Sequence, residues 1–73
     1  MDIKLKVGQR IRDLRNKLEL SQEALANEAE VDRTYVTVVE NGRRNISVEV
    51  LERLIAALKV SFAEFFNSRE FKK

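Results

Sequence analysis

The chain has 73 residues, enough for one domain and near the lower limit at which a single core sustains a fold. With neither cysteine nor histidine it excludes a disulfide framework, the usual zinc site and the usual general base, so no metal or cofactor is implied. The formal net charge of +2 is too small to argue for a nucleic-acid partner by itself. No apolar run reaches the about 18 residues that suggest a membrane-spanning helix, and MDIKLKVGQRIRD lacks the long apolar core of a signal peptide. No membrane partner is therefore expected, and the absence of cysteine suits a cytoplasmic location.

Proline is absent and glycine occurs only at Gly8 and Gly42, while Leu, Ala, Glu, Arg and Lys are plentiful, which predicts an all-α domain. The first helix is predicted from about Ile3 to Leu18, with Val7, Ile11, Leu14 and Leu18 as its apolar stripe. Gly8 in its middle costs about 1 kcal/mol relative to alanine and predicts a close helix approach. Ser21 is an N-cap for a helix from Gln22 to Ala29 that buries Leu25, Ala26 and Ala29. After Glu30-Val31, Asp32 caps a helix from Arg33 to about Asn41 that buries Val36 and Val39, and Gly42 ends it. Ser47 caps a fourth helix, about Val48 to Leu58, with Val48, Leu51, Leu54, Ile55 and Leu58 turned inward. Ser61 and Glu64 have capping-box spacing ahead of a short fifth helix through Phe65 and Phe66. One domain over 1–73 is expected, its core about 3–67, with a tail, 68–73, that frays.

Charge is unevenly spread. Residues 1–17 hold six basic and two acidic side chains, residues 18–32 five acidic and none basic, and residues 33–45 three basic and one acidic. The last cluster is hardest to read as a merely solvated face, because it follows the second of two short helices joined by a tight turn. That arrangement, over 21–41, fits a helix-turn-helix, whose second helix can enter the DNA major groove. Leu25, Ala26, Ala29, Val31, Val36 and Val39 supply an apolar or small residue wherever the motif needs one to hold its helices at a steep angle.

The run SQEALA, then VDRTYVTVVENGRRNIS, then LERLIAALKVSFAEFF resembles the repressor/Cro-like helix-turn-helix family over nearly the whole chain. Its DRTYV-x-x-x-E-x-G-x-RN most resembles the controller proteins of bacterial restriction–modification systems. The resemblance implies a compact five-helix domain and a homodimer on operator DNA that activates at low occupancy and represses at high occupancy. It implies that Gln22 bonds a phosphate and that Arg33, Thr34, Tyr35 and Thr37 face the groove, Arg33 with the fork that pairs with guanine. Val38 would touch a thymine methyl, and Asn41, Arg43, Arg44 and Asn45 would meet the backbone or an adjacent base edge. Glu40 would pair with Arg15, clamping the first helix to the reading helix.

Plainer readings stand beside these. Tyr35 can be read instead as a half-buried core residue, Thr34 and Thr37 as solvated, and Arg43 and Arg44 as a solvated loop. Four phenylalanines near the end of so small a domain suggest a dimer seam on the fourth and fifth helices, through Leu51, Ile55, Phe62, Phe65 and Phe66. Activation would call for a surface for RNA polymerase, for which the acidic Glu23 and Glu28 are candidates. Glu30 and Lys59 stand where the family usually has glycine, a substitution that costs roughly 1–2 kcal/mol if the backbone is left-handed there. A generic phage-type repressor and an antitoxin or other protein-interaction module are the competing functions. An enzyme is the weakest, since no glycine-rich phosphate loop or evident carboxylate pair is present.

Overall fold

A computed structural model describes residues 2–72; Met1 and Lys73, the ends of the expected domain, lie outside it. Five α-helices follow in order, α1 (Ile3–Lys17), α2 (Gln22–Ala29), α3 (Arg33–Glu40), α4 (Val48–Ala57) and α5 (Phe62–Phe66), then a 3-10 turn at Arg69–Phe71. The starts are written locally. Ser21, Asp32, Ser47 and Ser61 each accept a hydrogen bond from a backbone amide of the first turn, and Ser61 with Glu64 completes a capping box. Asp2, the residue just before α1, caps it in the same way, accepting from the Lys4 amide at 2.7 Å. That bond, and the Lys4 ammonium beside it, hold the Asp2 carboxyl below the usual carboxylate range.

The helix ends share one device. The amides of Leu20, Val31, Arg43 and Val60 each reach back five residues, to the carbonyls of Arg15, Ala26, Val38 and Ile55. This closure needs a left-handed residue just before the donor. Gly42 serves at φ 71°, but Glu19, Glu30 and Lys59 stand at 57°, 58° and 63°. The strain expected at Glu30 and Lys59 is present in the backbone, and Glu19 adds a third such position that the sequence reading omits.

The core is one cluster centred on Ile11, Leu25, Val36, Leu54, Ile55, Leu58 and Phe65, all essentially inaccessible. Complete burial of each such side chain contributes about 1.5–3 kcal/mol. α3 packs on α1 and α2, and α2 also packs on α4. Gly8 lies where α1 crosses the end of α3: a Cβ there would stand 2.3 Å from the Val39 carbonyl oxygen and 2.8 Å from that of Glu40. The expected close approach is therefore backbone against backbone.

Several expectations need correction. Ile55 and Phe65 are 2% and 0% exposed and fill the core of their own chain, so neither is available to a dimer seam. Leu51 and Phe66 are half-buried, while Phe62 remains 42% exposed. Val48, expected to turn inward, is 75% exposed: it is the first residue of α4 and stands off the core, against which Val50 and Leu51 of the same turn pack. Leu18 ends the α1 stripe as an exposed cap residue. The tail is not wholly frayed, since Phe71 packs edge-on against Phe66 with ring centroids 4.8 Å apart. Arg10 secures this end too, its Nε and Nη2 donating to the Phe65 and Glu64 carbonyls at 2.7 and 2.8 Å.

Two substitutions follow with opposite signs. Glu30→Gly relieves a left-handed position and is expected to stabilise by about 1 kcal/mol, a rise in Tm of roughly 4–8 °C for a domain of this size. Gly8→Ala forces α1 away from α3 and is expected to lower Tm. Thermal unfolding followed by circular dichroism reads both; an unchanged or lower Tm for Glu30→Gly contradicts the strain argument.

Candidate nucleic-acid interface

α3 is eight residues long and its faces are sharply divided. At about 100° per residue, Val36, Val39 and Glu40 point one way, and all three are buried. Thr34, Val38 and Asn41 stand on the opposite face, with Arg33 and Thr37 on one flank and Tyr35 on the other. Arg33, Thr34 and Asn41 are exposed, and Thr37, Val38 and Tyr35 are half-buried. Arg43, Arg44 and Asn45, in the loop beyond Gly42, are exposed. Among the described residues no salt bridge engages Arg33, Arg43 or Arg44, so their charge is available to a partner.

Each flank is tied to its neighbour. On one side the Arg44 guanidinium lies over the Tyr35 ring, 4.7 Å from its centroid, a cation–π contact that joins loop to helix. Tyr35 is thus half-buried, as its plainer reading has it, yet it also orders a basic side chain of the loop. On the other side the Thr37 hydroxyl donates to Gln22 Oε1 at 2.8 Å, joining α3 to the first residue of α2.

Beneath this surface lies a buried charge. Glu40 is 4% exposed, at a helix position where the pattern calls for an apolar residue. Arg15 grips its carboxylate with two bonds, Nε to Oε2 at 2.7 Å and Nη2 to Oε1 at 3.0 Å. Arg15 Nη1 also donates to the Leu20 carbonyl at 2.8 Å, which orients the guanidinium plane. Gln22 Nε2 donates to Glu40 Oε1 at 3.0 Å, and Arg12 Nε lies 3.5 Å from the same oxygen. Arg12 Nη2 further reaches the Glu40 carbonyl and Asn41 Oδ1, each at 3.3 Å. A carboxylate can leave water only with such compensation.

Three features of this site lie beyond the sequence reading. Arg12 joins the cluster from α1, where it reads as one more solvated base. Gln22, expected to bond a phosphate, has both edges of its amide engaged inside the protein. Asn41, expected to meet DNA, already accepts from Arg12. Only the family pattern points to Glu40 as a clamp, and nothing in local periodicity singles out its other partners.

Removing the clamp should be costly. Glu40→Ala leaves Arg15, with a side chain only 13% exposed, facing a cavity without its counter-charge. The expected loss is about 3–5 kcal/mol, comparable with the whole stability that so small a core supplies. Urea unfolding should show most of the variant unfolded without denaturant; a midpoint within error of the wild type contradicts a structural role for the pair.

Comparison with known proteins places this geometry. A sequence model described as helix-turn-helix matches residues 11–65. Control protein C.MunI of a Mycoplasma species is 41% identical over 70 residues, covering 94% of this chain and 95% of the relative. The restriction-modification controller protein C.AhdI from Aeromonas hydrophila superposes with a TM-score of 0.83 at 44% identity, over 86% of this chain and 96% of that one. The tetramer of controller protein C.Esp1396I, solved in complex with its natural 35 base-pair operator, gives a TM-score of 0.85 at 33% identity, over 90% and 87%. On sequence and fold together, the chain belongs to the helix-turn-helix family of transcriptional regulators, in the branch of the restriction–modification controller proteins.

Proposed function

We propose that the chain binds a near-palindromic operator as a homodimer, in the cytoplasm, and through that operator both activates and represses its own operon. One observation carries this reading: α3 is locked by its buried face and turns Arg33, Thr34, Thr37, Val38 and Asn41 outward, beside the basic loop. An eight-residue helix so presented fits the major groove, with Arg33 suited to the O6 and N7 of guanine. Arg43, Arg44 and Asn45 suit the phosphates on either side. A two-fold dimer would set its two reading helices about 34 Å apart, one turn of DNA. C.Esp1396I, bound as a tetramer to its operator, supports an oligomer on DNA. Of the side chains expected at the dimer seam, Phe62, Leu51 and Phe66 are the ones not fully buried in their own chain, and the seam is proposed on them. Glu23 and Glu28, exposed on α2, are the surface proposed to meet RNA polymerase during activation.

Binding titrations on selected operator and on random DNA, across a range of salt, separate the roles. Arg33→Ala is expected to lose about 1–3 kcal/mol on the operator and to relax preference at one base position. Arg43→Ala should weaken both DNAs alike and flatten the salt slope by about one contact. Equal binding of the wild type to both DNAs would sink the reading. For the seam, Phe62→Glu should shift sedimentation equilibrium toward monomer without changing the helical circular dichroism; an undisturbed dimer puts the seam elsewhere.

A further inference from the structure

We propose that Thr37 reads an exocyclic amino group in the major groove, N4 of cytosine or N6 of adenine, and does so as a hydrogen-bond acceptor. The inference rests on the DNA-reading function proposed above and adds to it the polarity of one contact. It begins at Glu40. A carboxylate gripped by Arg15 and Arg12 offers only acceptors. The end of the Gln22 amide that lies 3.0 Å from Glu40 Oε1 must therefore be the nitrogen. With Nε2 turned to Glu40, the amide oxygen occupies the other edge, 2.8 Å from Thr37 Oγ1. An amide oxygen only accepts, so the Thr37 hydroxyl donates to it.

The second atom within reach of that hydroxyl is the Arg33 carbonyl oxygen at 3.2 Å, also an acceptor. A hydroxyl has one proton, and here both destinations for it lie within the protein. With its proton used there, the Thr37 oxygen can meet an outside partner only as an acceptor. Phosphate oxygens, guanine O6 and N7 and thymine O4 are acceptors, and this oxygen has no proton to give them. The amino groups of cytosine and adenine are the major-groove donors, and they fit. Arg15, Glu40 and Gln22 thus act as positioning residues that set the direction of the Thr37 hydroxyl.

A base-substitution scan of the selected operator, read with wild type, Thr37→Val and Thr37→Ser, tests this. The wild type should prefer adenine or cytosine at one strand position of each half-site by about three- to tenfold, the range of a single net hydrogen bond. Thr37→Val, close in shape but without the oxygen, should lose that preference and no other, and Thr37→Ser should retain it. A DNA-side measurement needs no variant. Replacing that base by its analogue lacking the amino group, deoxynebularine for adenine or deoxyzebularine for cytosine, should weaken wild-type binding by the same factor. The proposal is overturned if Thr37→Val keeps every preference, if the preference lost is for guanine or thymine, or if the analogue binds as well as the natural base. A wild type that shows no preference at any position overturns the DNA-reading function itself.

Discussion

The structure turns on one buried carboxylate. α3 carries only two buried apolar side chains, Val36 and Val39, which are too few to fix both the position and the rotation of an eight-residue helix. Glu40 supplies what they lack, since Arg15 and Arg12 reach it from α1 and Gln22 from α2. A buried ion pair is a poor source of net stability, because desolvation offsets much of its attraction. It is a good source of orientation, because its two parallel bonds tolerate little displacement. Gly8 completes the arrangement by letting the α1 backbone come within contact of the last α3 carbonyls. The proposed reading surface is therefore the far side of a helix whose near side is held by charge.

The rest of the chain serves that helix at some cost to its own stability. Three of four left-handed helix-end positions carry a side chain, each disfavoured by roughly 1–2 kcal/mol against a core of modest size. Phe65, Phe66 and Phe71, packed ring to ring, and Arg10, bonded to the α5 carbonyls, close the end of the molecule that would otherwise open first. A fold with so little reserve would gain from the proposed second subunit, since association stabilises the state that binds.

Much of the architecture was legible in the chain because it is encoded over short spans. A cap needs a serine or aspartate two or three residues before the amide it binds, and Ser21, Asp32, Ser47 and Ser61 announce themselves in that way. The left-handed backbone at Glu30 and Lys59 was legible only through the family pattern. Glu19 was not, because no glycine was missed there. What stayed hidden is long-range. Arg10 meets a carbonyl 55 residues away and Arg12 one 28 residues away, and helical periodicity shows each merely as a charge off the apolar stripe. Ile55 and Phe65 have the composition of a dimer seam, and only the three-dimensional packing shows the core using them first. The family resemblance implies a phosphate contact for Gln22, whereas the geometry turns both edges of its amide toward Glu40 and Thr37.

The most direct test of this account is the operator affinity of Glu40→Gln, measured where circular dichroism shows the variant folded. The substitution keeps the shape of the side chain and removes the charge that orients Arg15 and Gln22. Specific binding should fall at least tenfold while binding to random DNA, which depends on the exposed arginines, stays near the wild-type value. A folded Glu40→Gln that discriminates operator from random DNA as well as the wild type would contradict the claim that the buried carboxylate aims the reading helix.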